Sequence, residues 1–153
     1  MADKSSFDLQ AAHRYFATRC FNRTWGYIEK AARSPEDDLT MLHTALASLW
    51  HWTQREDCTP ENLSTGYWQV SRVYALLGQA DNARRYGELC LKASEKLAPF
   101  YLGEANEALA RAELTAGDRL KMQVHLEKAR QLAEKITDEG DKRVLLNDLK
   151  TIS

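Results

Sequence analysis

Apolar positions in this chain recur at helical spacing, and no stretch alternates apolar and polar residues as a half-buried strand would. Leu89, Leu91 and Leu97 are spaced for a helix, as are Val124, Leu132 and Ile136. Near the end of the chain Val144, Leu145, Leu149 and Ile152 form a further apolar stripe. Pro and Gly fall between such segments. In Ser34-Pro35-Glu36-Asp37 the Ser hydroxyl can accept from orphan amides, Pro suits the first helical position, and the acids meet the positive end of the helix dipole. Thr59-Pro60-Glu61-Asn62 repeats the device, Gly78 and Gly117 read as left-handed stops, and Asp118 and Thr137-Asp138-Glu139 open further helices. These marks predict seven helices, at about 7–33, 36–56, 61–77, 80–97, 99–116, 119–136 and 141–150. The short connections make neighbours antiparallel, giving a chain of helical hairpins in a single domain over residues 1–153.

Two of the hairpins repeat each other. Tyr67–Gly78 followed by Gln79–Ala83 matches Asn106–Gly117 followed by Asp118–Met122, with 39 residues between the two glycines. Tyr67, Val70, Ser71, Tyr74, Gly78, Ala83, Gly87 and Cys90 resemble the tetratricopeptide pattern of bulky, small and aromatic positions, a turn glycine and small crossing residues, whose usual period is about 34. In the next repeat Leu109, Ala110, Gly117 and Ala129 agree, while Glu113 stands where an aromatic is expected and Met122 where Ala is expected. The first hairpin shares the architecture and little of the pattern. The resemblance implies a short right-handed superhelix of stacked hairpins with a C-terminal capping helix. Asn22-Arg-Thr-Trp25, Met41-Leu-His43, Ser71-Arg-Val-Tyr74, Glu107-Ala-Leu-Ala-Arg111 and the closing Leu145-Leu-Asn-Asp-Leu149 are also similar to stretches shared by a set of small bacterial proteins, which implies the same architecture and no particular activity.

Charge narrows the function classes. The chain has 21 Lys and Arg against 22 Asp and Glu, a net charge of −1, so it lacks the basic excess of a nucleic-acid binder. No apolar run approaches the ~20 residues of a membrane span, and Met1-Ala-Asp-Lys-Ser-Ser does not read as a signal peptide. Cys20, Cys58 and Cys90 are widely spaced and form no CxxC pair, as expected of packed thiols in a reducing cytoplasm. No GxSxG, Gly-rich phosphate loop or HExxH motif is present, so the expectation is a chain without enzymatic activity, metal or cofactor.

Two clusters carry the functional expectation. In the tetratricopeptide resemblance the first helix of each pair lines a concave binding face, which here implies Thr65, Trp68, Arg72, Ala75 and Leu76, then Glu104, Glu107, Arg111, Leu114 and Thr115. Trp68 and Arg72 lie four apart and share a helix face, and Trp and Arg dominate binding hot spots. Paired arginines suit carboxylates, so Trp68, Arg72, Glu104, Glu107 and Arg111 are the candidate site for a protein or peptide with acidic or C-terminal carboxylate groups. The competing reading packs Trp68 on the preceding hairpin and pairs the arginines with Glu104 and Glu107. The second cluster is Trp25, His43 and His51, with Trp68 and Arg72, as an aromatic pocket for a small-molecule sensor between the first two hairpins. His43 and His51 are eight residues apart, roughly 12 Å along a helix, too far to share one metal ion. A homo-oligomer covering the concave or end face is a third arrangement.

Overall fold

A computed structural model describes residues 7–153, and Met1-Ala-Asp-Lys-Ser-Ser, where the leader expectation falls, lies outside the described residues. All regular structure in the described residues is helical: α1 (Leu9–Ile28), α2 (Pro35–Thr53), α3 (Pro60–Leu76), α4 (Ala80–Ser94), α5 (Pro99–Ala116), α6 (Arg119–Ala133) and α7 (Glu139–Leu149). The chain packs as two compact units that divide between Thr59 and Pro60. Among the described residues no helix is long and apolar enough to cross a membrane.

The first unit is the α1–α2 hairpin. Asp8 caps α1 by accepting from the Ala11 amide at 3.0 Å. The helix ends at Ile28, five residues before the pattern predicts, because Pro35 starts α2 and the chain needs the intervening residues to reverse. Ser34 and Asp37 form a reciprocal capping box, and Lys30 and Arg33 tie the connection to Asp37 and Asp38, both at 2.6 Å. Small residues set the helix separation. Ala17 and Ala45 are buried, and the Ser48 hydroxyl donates to the Ala17 carbonyl at 2.7 Å.

The second unit shows the repeat in its burial pattern. Helix α4 buries Ala83, Gly87, Cys90 and Ser94, and α6 buries Met122, Leu126, Ala129 and Ala133. Both stripes follow i, i+4, i+7, i+11, and they are offset by the same 39 residues as the turn glycines. Val124 and Val144 lie off the stripes and are exposed, so the apolar face of α7 is Leu145, Leu149 and, just beyond it, Ile152. Gly78 and Gly117 take φ of 73° and 78°, the left-handed conformation that ends a helix and that glycine adopts without a Cβ penalty. Ser71 donates to the Ala83 carbonyl at 2.8 Å, closing α3 onto α4.

Helix α5 is the centre of this unit and packs against α3, α4, α6 and α7. The eight residues Gly103 to Ala110 are all buried, which requires partners on every side. Alanines at 105, 108, 110 and 112 allow the close approach. A Cβ on Gly87 would come 2.9 Å from Leu109 Cδ2, so α4 rests directly on α5. A Cβ on Gly103 would fall well inside the contact distance of Leu145 Cδ2, so α7 rests on α5 in the same way. Met122 fills the core beside Leu126, Ala129, Leu145 and Leu149, which explains a large residue where the repeat pattern wants Ala.

Gly103→Ala should therefore destabilise the protein by about 1–3 kcal/mol through overpacking against buried Leu145. Gly26→Ala, exposed in the last turn of α1, meets nothing within 4 Å and should stabilise it by about 0.5 kcal/mol. Chemical denaturation of the two variants beside the parent chain checks both signs.

Candidate functional site

The five residues of the candidate face come together in the second unit, on α3 and α5, as an internal network. Arg72 and Arg111 occupy equivalent repeat positions, 39 residues apart, as do Trp68 and Glu107. Both arginines converge on the Glu107 carboxylate. Arg72 Nη1 donates to Glu107 Oε1 at 2.9 Å, Arg111 Nε donates to the same oxygen, and the Trp68 indole donates to Oε2 at 2.7 Å. Glu107 is fully buried, and Trp68 and Glu104 are buried beside it. A carboxylate taken out of water at this position is tolerable because three donors meet it.

Helix α7 closes the network. Arg111 Nη2 donates to the Asp148 carbonyl at 2.9 Å and to the Thr151 hydroxyl, and Arg72 Nη2 lies 3.7 Å from the Asp148 carboxylate. The two guanidinium groups thus hold the C-terminal end of a helix, where unpaired carbonyls and the negative end of the dipole favour cations. Burial lowers the Arg72 pKa, partly offset by Glu107. Burial raises that of Asp148, with the Glu107 carboxylate adding to the effect.

The cluster holds three carboxyl groups, Glu104, Glu107 and Asp148, and two guanidinium groups, so it carries one acid more than it can neutralise. Glu104 is the odd member. Its Oε1 is buried with no hydrogen-bond partner, and burial followed by repulsion from Glu107 raises its pKa well above the carboxylate range. Burial and the neighbouring Glu107 carboxylate both favour the protonated form of Glu104.

A second arginine–acid pair explains the degenerate repeat position. Glu113, standing where an aromatic is expected, is gripped by Arg84 of α4 through Nε–Oε1 at 2.7 Å and Nη2–Oε2 at 2.9 Å. That bidentate bond holds the Glu113 pKa below its usual value. The corresponding aromatic in the preceding repeat, Tyr74, stacks on Tyr86 with centroids 5.6 Å apart.

The other candidate residues distribute differently. His43 is exposed, Trp25 is half-buried, and both lie in the first unit with His51. His51 meets His13 of α1, which the sequence reading did not bring in. Their Nδ1 atoms are 2.8 Å apart and the ring centroids 5.1 Å. The centroid separation matches two rings meeting head-on through these nitrogens, as in an N–H···N hydrogen bond with one shared proton. Phe16 stacks on His51 at 5.4 Å, and Trp50 packs on both rings. Desolvation, then the neighbouring His13, lowers the His51 pKa. Cys90 is buried with its thiol pushed up to about 12 by burial, so it stays protonated at neutral pH. The described residues contain no group of three or more His, Cys, Asp or Glu side chains able to hold a metal ion.

Compared with protein-family models, curated proteins and solved structures, the chain matches none.

The excess acid has a measurable consequence. A carboxyl group whose pKa is raised on folding contributes stability below its unfolded pKa and loses it as pH rises toward the folded value. Glu104→Gln removes the titration and keeps the shape. Its stability relative to the parent should be smallest near pH 4 and rise toward pH 7, where the variant should be more stable by about 1 kcal/mol or more. Urea denaturation of both chains from pH 4 to 8 checks this. A variant less stable than the parent by the same margin at every pH would contradict it.

Proposed function

We propose that the chain is a non-enzymatic, tetratricopeptide-like scaffold that recognises a protein segment bearing a carboxylate at a helix end, through Trp68, Arg72 and Arg111. The observation that carries the reading is the pair of guanidinium groups at equivalent repeat positions, aimed at Glu107 and at the Asp148 end of α7. In this reading α7 is the internal occupant of the face, and a partner with the same chemistry takes its place.

The repeat architecture supports it. The two burial stripes share one offset, the turn glycines are left-handed, and the crossings run through Ser71, Ala83 and Gly87. Free Cys20, Cys58 and Cys90 suit a reducing compartment such as the cytoplasm, in keeping with the resemblance to small bacterial proteins.

The test is exchange. A fluorescent peptide of residues 139–153 is titrated into the full chain and into a full chain carrying Leu145→Ala and Asp148→Ala, which loosens its own α7. The reading predicts at least tenfold tighter binding to the loosened chain. It also predicts loss of that gain when the peptide itself carries Asp148→Ala. Equal binding to both chains, or no dependence on the peptide's Asp148, would overturn it.

A further inference from the structure

Two imidazoles join α1 to α2 in the first unit. The Nδ1 atoms of His13 and His51 lie 2.8 Å apart. At that distance one nitrogen donates and the other accepts. The contact accommodates a neutral pair. It also accommodates a pair with one added proton, in which an imidazolium donates to a neutral ring. A second added proton leaves two N–H groups facing each other and two positive charges at hydrogen-bond distance, with no acceptor between them.

The surroundings are aromatic rather than acidic. Phe16 stacks on His51, and the Trp50 ring lies 4.9 Å from His51 and 5.5 Å from His13. Helix α1 contains no Asp or Glu. Within one turn of either ring along its own helix, the charged or titratable side chains are Arg14 and Tyr15 on α1 and Arg55 just beyond α2. The acids that follow are engaged elsewhere or turned to water. Asp8 caps α1 and lies 4.0 Å from Arg14, Asp57 takes Arg55 at 2.8 Å, and Glu56 is exposed. Glu36, Asp37 and Asp38 stand in the first turn of α2, at its other end. Burial lowers the His51 pKa, and His13 lowers it further.

The part of α1 that carries His13 is lightly anchored. None of Leu9 to Phe16 is buried, and the fully buried residues of α1 are Ala17 and Thr24. Besides the histidines and their ring contacts, Gln10 ties this stretch to the end of α2, donating to the Gln54 carbonyl and accepting from the Glu56 amide, each at 3.1 Å. From Ala17 onward the hairpin is held by Ser48 on the Ala17 carbonyl at 2.7 Å and by Thr24 on Thr44 at 2.9 Å. A segment with so little apolar burial opens at lower cost than the rest of its hairpin. We propose that His13 and His51 form a proton-operated clasp: it stays closed while the rings share one N–H···N bond, and a second added proton opens it, freeing Leu9–Phe16 from α2 and baring the Phe16 and Trp50 rings.

The sign follows from the same geometry. A histidine whose pKa is lowered on folding contributes stability above its unfolded value, about 6.5, and loses it as pH falls through the folded value. Release therefore belongs to mildly acid solution. Glu104 acts in the opposite sense, because its contribution grows as pH falls. The clasp lies in the first unit and does not rest on the reading of Arg72 and Arg111.

The test is amide hydrogen exchange of the full chain, read by mass spectrometry from pH 7.5 to 4.5 and corrected for the intrinsic pH dependence of exchange. Expected is at least a tenfold loss of protection across residues 9–16 between pH 7 and 5, with residues 17–28 and 60–149 changing less than threefold. His13→Gln and, separately, His51→Gln keep a hydrogen-bonding side chain beside the remaining imidazole and cannot collect two charges. Both variants should retain the parent's helix content by circular dichroism and keep residues 9–16 protected at pH 5. Nitrogen-15 spectra of the parent's imidazoles give an independent readout, since the second protonation should coincide with the exchange step. The proposal is overturned by constant protection of residues 9–16 from pH 7 to 5, by the same step in both glutamine variants, or by two fully protonated imidazoles alongside full protection of the segment.

Discussion

The second unit depends on a buried carboxylate. Glu107 sits at the middle of the helix that touches every other helix of that unit, and it is satisfied only because α3 supplies Trp68 and Arg72 while α5 supplies Arg111. Removing both arginines would leave the Glu107 charge in a dry interior, where an uncompensated group costs several kcal/mol. The same arginines then fix α7, through the Asp148 carbonyl and the Thr151 hydroxyl. Packing and electrostatics specify one arrangement together, since Leu145 lies over Gly103 within the same α5–α7 contact.

The network also explains how a repeat can diverge without losing its architecture. Trp68 and Glu107 hold the same repeat position and became donor and acceptor of one hydrogen bond. Tyr74 and Glu113 hold another, where one stacks on Tyr86 and the other takes a bidentate arginine. Glu107 and Glu113 are each met by an arginine on a neighbouring helix, Arg72 of α3 and Arg84 of α4. Glu104 has no such match, and its Oε1 is the buried side-chain oxygen left without a hydrogen-bond partner among the described residues.

Much of the fold was legible in the sequence because its signals are local. Ser34-Pro35, Asp118 and Asp138 cap helices where their spacing says they should, and Gly78 and Gly117 stop them. The 39-residue offset carried over to burial. The candidate face was legible as a set of residues on shared helix faces, since four-residue spacing fixes direction around an axis. What covers that face was not legible, because helical periodicity does not say which later segment folds back on it. The apolar stripe of α7 was visible, but its register over Gly103 depends on a contact 42 residues away in sequence. The His13–His51 pair was missed for a similar reason. It follows from the antiparallel register of α1 and α2, also set by Ala17–Ser48 and Gln10–Gln54, and no single-helix spacing reveals it.

The most direct measurement is amide hydrogen exchange of α7, with urea denaturation, in Glu107→Gln. This substitution keeps the shape and removes the buried carboxylate on which Trp68, Arg72 and Arg111 converge, leaving Asp148 as the carboxylate nearest Arg72. The account predicts a loss of about 3–5 kcal/mol, with faster exchange at Leu145 to Leu149. A loss below about 0.5 kcal/mol, the usual size for an inconsequential surface change, with α7 protection unaltered, would contradict it.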